Sequence, residues 1–171
     1  MKCLDKSNLP YPKIKVQEKN FEYSKLLLED YAGLVSETTA IFLYSFQHIS
    51  KKTSINDFSK IVEKIAITEM RHLEILGETI SLLGTTPCFK TFGNDNCNFW
   101  NSYNVCYTNE LRNMLEVDII SEQKAINQYI KHKELINDNY IKQTITRILE
   151  DEYEHLACFK NMYKFFAPIF N

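Results

Sequence analysis

The sequence is short of the residues that break regular structure. Four glycines and four prolines are spread over 171 residues, which leaves room for few turns. With little apolar–polar alternation, the long elements that remain should be helices. No run reaches the ~18 apolar residues that a spanning helix needs, so no membrane segment is expected. The opening Met1-Lys2-Cys3-Leu4-Asp5-Lys6 has no apolar stretch behind it, so no secretory signal is expected. Net charge is −2, which gives no basic field for nucleic acid and no charge run for a membrane surface. The five cysteines, Cys3, Cys88, Cys97, Cys106 and Cys158, are odd in number and contain no CxxC pair. That suits a reducing cytoplasm, the expected location, better than a disulfide scaffold. Cys88, Cys97 and Cys106 match no zinc or iron–sulfur spacing, so free thiols are expected there.

What is present is an ordinary globular balance, 44% hydrophobic and 25% charged residues, at the length of one domain. Residues 1–20 read as an extended N-terminal arm, with Pro10 and Pro12 bracketing Tyr11. Residues 21–171 read as a single all-α domain. Helix 1 is expected from about Tyr23 to Ile49, where Leu26, Leu27, Tyr31, Leu34, Ala40, Ile41 and Tyr44 recur near a 3.6 period. Helix 2 is expected from about Ile55 to Leu83, with Ser54 as N-cap, Asp57 in the first turn and Gly84 as the stop. Helix 3 should run from about Asn109 to Leu135, and helix 4 from about Asn139 to Phe166, ended by Pro168. Short links make each pair an antiparallel hairpin. The long link between helices 2 and 3 can cross a bundle end to end, since extended chain covers ~3.3 Å per residue.

One pattern occurs twice. Glu37-x-x-Ala40-Ile41-x-x-Tyr44 is followed by Glu69-x-x-His72-Leu73, and Glu122-x-x-Ala125-Ile126-x-x-Tyr129 by Glu152-x-x-His155-Leu156. Glu and His three apart share one helix face. A helix of this length is ~40 Å long at 1.5 Å per residue, so going up one helix and down the next brings Glu69 level with Glu37, and Glu152 level with Glu122. Any one of these glutamates alone is more readily a solvated helix residue. The repeated set is different, because all four sit on apolar faces, and buried carboxylates must be protonated, paired or metal-bound. Four Glu and two His on four helices are the ligand set of a two-metal site. Tyr44 and Tyr129 lie two turns after their Glu and could hydrogen-bond a carboxylate across the bundle or carry a redox equivalent; a core Tyr is equally open for each. Asp118, one turn before Glu122, could fix a ligand His through its second nitrogen. Glu154 is expected to face solvent. His48 and His132 read as ordinary helix-end or surface histidines, and the aromatic tail Phe165-Phe166-Ala167-Pro168-Ile169-Phe170 as packing on its own bundle.

These residues resemble the ferritin-like di-metal carboxylate proteins, which include rubrerythrins, bacterioferritins and manganese catalases. The resemblance covers residues 22 to about 160. It implies a ferritin-like four-helix bundle of two antiparallel hairpins joined by a long crossover. It also implies Glu37, Glu69, His72, Glu122, Glu152 and His155 as ligands, with Glu69 and Glu152 bridging and Glu37 and Glu122 terminal. Two iron or two manganese ions are the implied cofactors. The arm Tyr11-Pro12-Lys13-Ile14-Lys15-Val16 and the stretch from Ser36-Glu37 to Gln47 look like the start of manganese catalases. Unlike most rubrerythrins, the chain has no CxxC for a rubredoxin-like iron, and it carries Ile119, Ala125 and Ile126 rather than an additional Glu on helix 3. Met70 holds the place of the bacterioferritin haem ligand; a core or surface Met is the commoner explanation, and haem is not expected. The implied function is a redox enzyme acting on hydrogen peroxide or dioxygen with an unidentified electron donor, in a homo-oligomer. The alternatives are a ferroxidase subunit of an iron-storage shell and a structural or coat protein stabilised by metal.

Overall fold

The computed structural model describes residues 10–93 and 97–170. The arm residues 1–9, and Cys3 with them, lie outside the described residues. Among those described, five α-helices follow in order: α1 (Phe21–Ala32), α2 (Glu37–Lys51), α3 (Asn56–Leu82), α4 (Leu111–Leu135) and α5 (Asn139–Phe166). α2 packs against α3, and α4 against α5, so the two expected hairpins form. No described helix is long and apolar enough to cross a membrane.

The expected first helix is broken in two. Gly33 takes an extended backbone (φ −78°, ψ −170°), and a Cβ there would lie 2.5 Å from the Glu29 carbonyl oxygen. Side chains then take up the carbonyls that the break exposes. Thr38 Oγ1 donates to the Tyr31 carbonyl at 2.6 Å, Ser36 Oγ to the Gly33 carbonyl at 2.8 Å, and Gln128 Nε2 of α4 to the Val35 carbonyl at 2.9 Å. Ser36 caps the new helix by accepting from Thr39 N. The break therefore makes Glu37 the first residue of α2.

Three other termini show their causes. Asp138 caps α5 through Tyr140 N and Ile141 N. Gly84 (φ 91°) ends α3, with Gly84 N bonding Ser81 O and Thr85 N bonding Ile80 O, the paired bonds of a left-handed C-terminal stop. Ile55, not Ser54, precedes the first turn of α3 and makes no side-chain cap. The crossover also departs from an all-helical chain. It carries a small antiparallel hairpin, β1 (Lys90–Phe92) against β2 (Cys97–Phe99). Trp100 then pins the crossover to α2, stacking on Phe42 at 4.8 Å and donating Nε1–H to Thr39 Oγ1 at 3.0 Å.

The core has two apolar clusters with a polar layer between them. One holds Leu27, Leu28, Ile75, Ile80, Ile126, Ile141 and Ile148; the other holds Leu43, Phe58, Val62, Met114, Leu115, Phe159 and Met162. Along α3 the sequence passes from Phe58–Ala66 in one cluster to Ile75–Ile80 in the other, and Glu69 and His72 fall between. α4 and α5 place Glu122, Glu152 and His155 in the same gap. The tail behaves as expected in part: Phe166 is buried and Phe170 packs on Tyr163 with the rings tilted at 54°, while Phe165 and Ile169 stay exposed.

Candidate metal centre

The gap between the two clusters gathers all six residues of the repeated pattern. Glu37, Glu69, Glu122, Glu152, His72 and His155 are each no more than 4% exposed. They form two groups of four, Glu37–Glu69–His72–Glu152 and Glu69–Glu122–Glu152–His155, with one donor atom per residue and all within 4.8 Å of one another in each group. Glu69 and Glu152 belong to both. Glu69 Oε2 is 2.9 Å from His72 Nδ1, and its Oε1 is 2.9 Å from His155 Nδ1. Glu152 repeats this, with Oε1 3.0 Å from His72 Nδ1 and Oε2 3.7 Å from His155 Nδ1. Glu37 approaches only the first histidine, at 3.6 Å, and Glu122 only the second, at 3.8 Å.

The two tyrosines of the repeat exchange partners across the bundle. Tyr44 of the first hairpin donates to Glu122 Oε1 of the second, and Tyr129 of the second donates to Glu37 Oε1 of the first. Each outer carboxylate is thus held by one oxygen, leaving Oε2 for the centre. Burial, together with the neighbouring carboxylates, pushes both phenols well above their ordinary pKa, so both remain donors.

Charge is the dominant problem in this layer. Burial, reinforced by the Glu69 charge on Glu37 and the Glu152 charge on Glu122, pushes both outer carboxyls well above the usual range. Burial also acts on Glu69 and Glu152, but contacts with the two histidines outweigh it and hold them ionised. Burial would lower both imidazole pKa values, yet the surrounding carboxylates raise them well above normal. Glu69 Oε1, Glu122 Oε2, Glu152 Oε1 and His155 Nδ1 are buried and face one another, or His72 Nδ1, at ion-pair distance without an aligned hydrogen bond. Carboxylate and imidazole atoms converging on two shared centres are what a pair of divalent cations requires. The residues present therefore fit a di-metal site.

A cavity of ≈180 Å³ approaches the layer from one side. Its inner wall is Glu37, Glu69, Glu122, Glu152, Tyr44 and Tyr129, and it extends to Leu34, Cys106 and Lys124 at the surface. Neither histidine lines it, so a small molecule entering there meets the carboxylate face.

Several expectations need correction. Asp118 does not reach a histidine; it accepts from Gln47 Nε2 at 2.7 Å. The carboxylate behind a histidine is Asp151, whose Oδ2 lies 3.1 Å from His72 Nε2. Nothing in the local pattern marked Asp151, because its partner is 79 residues away on another helix. His132 lies in the last turn of α4, at a helix end as expected, but not at the surface: it is 1% exposed and bonds both oxygens of buried Asp30 at 2.9 Å, tying α4 to α1. His48 lies in the last turn of α2, also a helix end, and bonds the Ser59 carbonyl at 3.0 Å. Glu154 is half-buried rather than open to solvent. Met70 is 48% exposed on α3. No disulfide joins Cys88, Cys97, Cys106 and Cys158.

With this geometry in place, comparison with known proteins assigns the chain: it belongs to the rubrerythrin family, whose model matches residues 31–163. It is 27% identical, over 167 residues, to a probable manganese catalase of Clostridium acetobutylicum, a match spanning 86% of this chain and 72% of that protein. Among solved structures, a manganese catalase from Anabaena superposes with a TM-score of 0.83 at 22% identity, covering 96% of this chain and 81% of the other. A Desulfovibrio desulfuricans bacterioferritin with a diiron site superposes with a TM-score of 0.74 at 23% identity, covering 88% and 83%. The fold is the ferritin-like helical bundle, and the chain is a ferritin-like di-metal protein.

Proposed function

We propose that the chain is a catalase-like oxidoreductase that converts two molecules of hydrogen peroxide into two of water and one of dioxygen on a pair of manganese ions. The observation that carries this reading is the pair of buried donor sets sharing Glu69 and Glu152, with a small cavity ending on their carboxylate face. The C. acetobutylicum relative, named a probable manganese catalase, favours manganese over iron. When bound, the two metals would supply the two-electron chemistry that no side chain here provides.

The chain's own residues set the conditions. Glu69 and Glu152 would bridge, because each presents one oxygen toward each histidine. Glu37 and Glu122 would be terminal, with Tyr129 and Tyr44 fixing their outer oxygens. With the metal bound, Asp151 Oδ2 would accept a hydrogen bond from Nε2–H of His72, which leaves Nδ1 free to ligate. The four carboxylates balance two divalent charges, so the layer is neutral when loaded and can stay buried. The apolar clusters above and below exclude bulk water. One peroxide is oxidised to dioxygen and gives up the two electrons and two protons that reduce the other to water, so this reading needs no external electron donor.

The test is oxygen evolution from peroxide by protein loaded with manganese, and separately with iron. Oxygen release by the manganese form supports the assignment. Iron oxidation by dioxygen without oxygen release from peroxide would favour a ferroxidase. Loss of both activities, together with the absence of peroxidase turnover with several reductants, would leave the metal a structural role.

A further inference from the structure

The feature that the proposed chemistry leaves unused is the N-terminal arm. Residues 10–17 form no helix or strand, yet they are held firmly against the bundle. Pro10 and Pro12 restrict the backbone on either side of Tyr11. Ile14 and Val16 pack on the apolar cluster formed by α1, α3, α4 and α5. Gln17 N donates to Asp138 Oδ2 at 2.6 Å, at the start of α5, and Asn20 N donates to the Leu83 carbonyl at 3.1 Å, at the end of α3. The arm thus straps the α3 and α5 ends together and presents Tyr11 beside the midpoint of both helices.

Tyr11 meets a built arrangement there. Its hydroxyl donates to Asp151 Oδ2 at 2.5 Å, the same oxygen that lies 3.1 Å from His72 Nε2. Asp151 Oδ1 pairs with Arg147 Nη1 at 2.7 Å. The Arg147 guanidinium lies 4.4 Å from the centre of the Tyr11 ring, within range of a cation–π contact. The Tyr11 ring also meets His72 edge-on, at 6.1 Å between centroids and 76° between planes. Asp151 is therefore held on both oxygens, and the open side of His72 is covered by an aromatic ring.

We propose that Tyr11 is a positioning residue of the metal centre: through Asp151 it fixes the orientation and tautomer of His72 so that Nδ1 faces the donor set shared with Glu37, Glu69 and Glu152. The inference rests on the di-metal reading of the site. Its physical basis is that a histidine ligand is oriented by what its other nitrogen bonds, and the partner must itself be held still. Arg147 holds one oxygen of Asp151, but the oxygen that serves His72 is held by Tyr11. Without the hydroxyl, that oxygen can swing about the side-chain torsion and loosen the imidazole. The arm then belongs to the functional unit and does more than cover it.

The experiment compares metal binding in four full-length proteins: the natural chain, Tyr11→Phe, Asp151→Asn and the double variant. Manganese affinity is read by competition with a chromophoric chelator, and the environment of the loaded pair by electron paramagnetic resonance. Tyr11→Phe keeps the ring against Arg147 and His72 and removes only the hydroxyl. It should weaken manganese binding about tenfold, the lower end for loss of an outer hydrogen-bond partner, and alter the resonance line shape. Asp151→Asn should weaken binding more, and the double variant no further, because Tyr11 acts through Asp151. Lys13→Ala, at an exposed position of the same arm, controls for substitution in the arm as such and should bind manganese as the natural chain does. Natural affinity and line shape in Tyr11→Phe, additive losses in the double variant, or an equal loss in Lys13→Ala would each overturn the proposal. Failure of the natural chain to bind two manganese per chain would overturn the site itself, and this inference with it.

Discussion

Loading the metal pair should expel protons, and the number follows from the charge arrangement. Without metal, Glu69 and Glu152 are held ionised. The raised pKa values of Glu37 and Glu122 keep two carboxyls neutral, and those of His72 and His155 keep two imidazoles cationic. The buried layer is then neutral overall. With two divalent cations it is neutral again, with four carboxylates ionised and both imidazoles neutral. The exchange is two cations for two imidazolium protons and two carboxylic protons, or about two protons per metal. Each linked proton changes the binding constant tenfold per pH unit. The combined affinity for the pair should therefore rise by up to about four decades per pH unit while all four groups remain protonated. The sign is set by the raised values: binding tightens as pH rises and saturates above them. Calorimetric titration with manganese in two buffers of different ionisation enthalpy measures the release directly. Glu37→Gln should release one proton fewer, since the amide carries none to give. Release of one proton per metal or fewer would refute the reasoning, because the two imidazolium groups alone supply one per metal and the carboxyls would then be ionised already.

Three further outcomes follow. Glu69→Gln should abolish binding of both metals, because Glu69 belongs to both donor groups, whereas Glu37→Gln should weaken one site and leave the other; metal content after gel filtration separates the two patterns. His132→Ala should destabilise the fold by about 3 kcal/mol, the lower range for breaking a buried pair, since Asp30 keeps its bond to Gln128; urea unfolding of the metal-free protein checks this. Ala125→Phe fills the cavity at its α4 wall and should cut peroxide turnover at least tenfold with the metals still bound. Unchanged turnover would place the substrate path elsewhere.

The repeat was readable in the sequence because helical geometry is local. A Glu and a His three residues apart share a face whatever the helix packs against, and equal helix lengths bring residues about 30 apart to one height. That reasoning found the six residues that the bundle gathers, the hairpins and the crossover, and it found Tyr44 and Tyr129 as reachable partners. It did not find the break at Gly33, where apolar periodicity runs on either side and concealed the capping signal of Ser36. It placed His132 at a helix end but missed its burial, which depends on Asp30 arriving from α1, 102 residues away. It gave Asp118 the role that Asp151 plays, because both are acidic neighbours of a donor Glu and only packing shows which one meets a ring nitrogen.

The division has a physical cause. Spacing along a helix determines which side chains share a face, so the sequence alone specified a buried set of four glutamates and two histidines that demands a counter-charge. Which oxygen faces which nitrogen, which carboxylate orients His72, and that the arm carrying Tyr11 reaches the centre at all depend on contacts between segments distant in the chain. Those contacts come from the shapes of whole packed surfaces, and only the tertiary structure decided them.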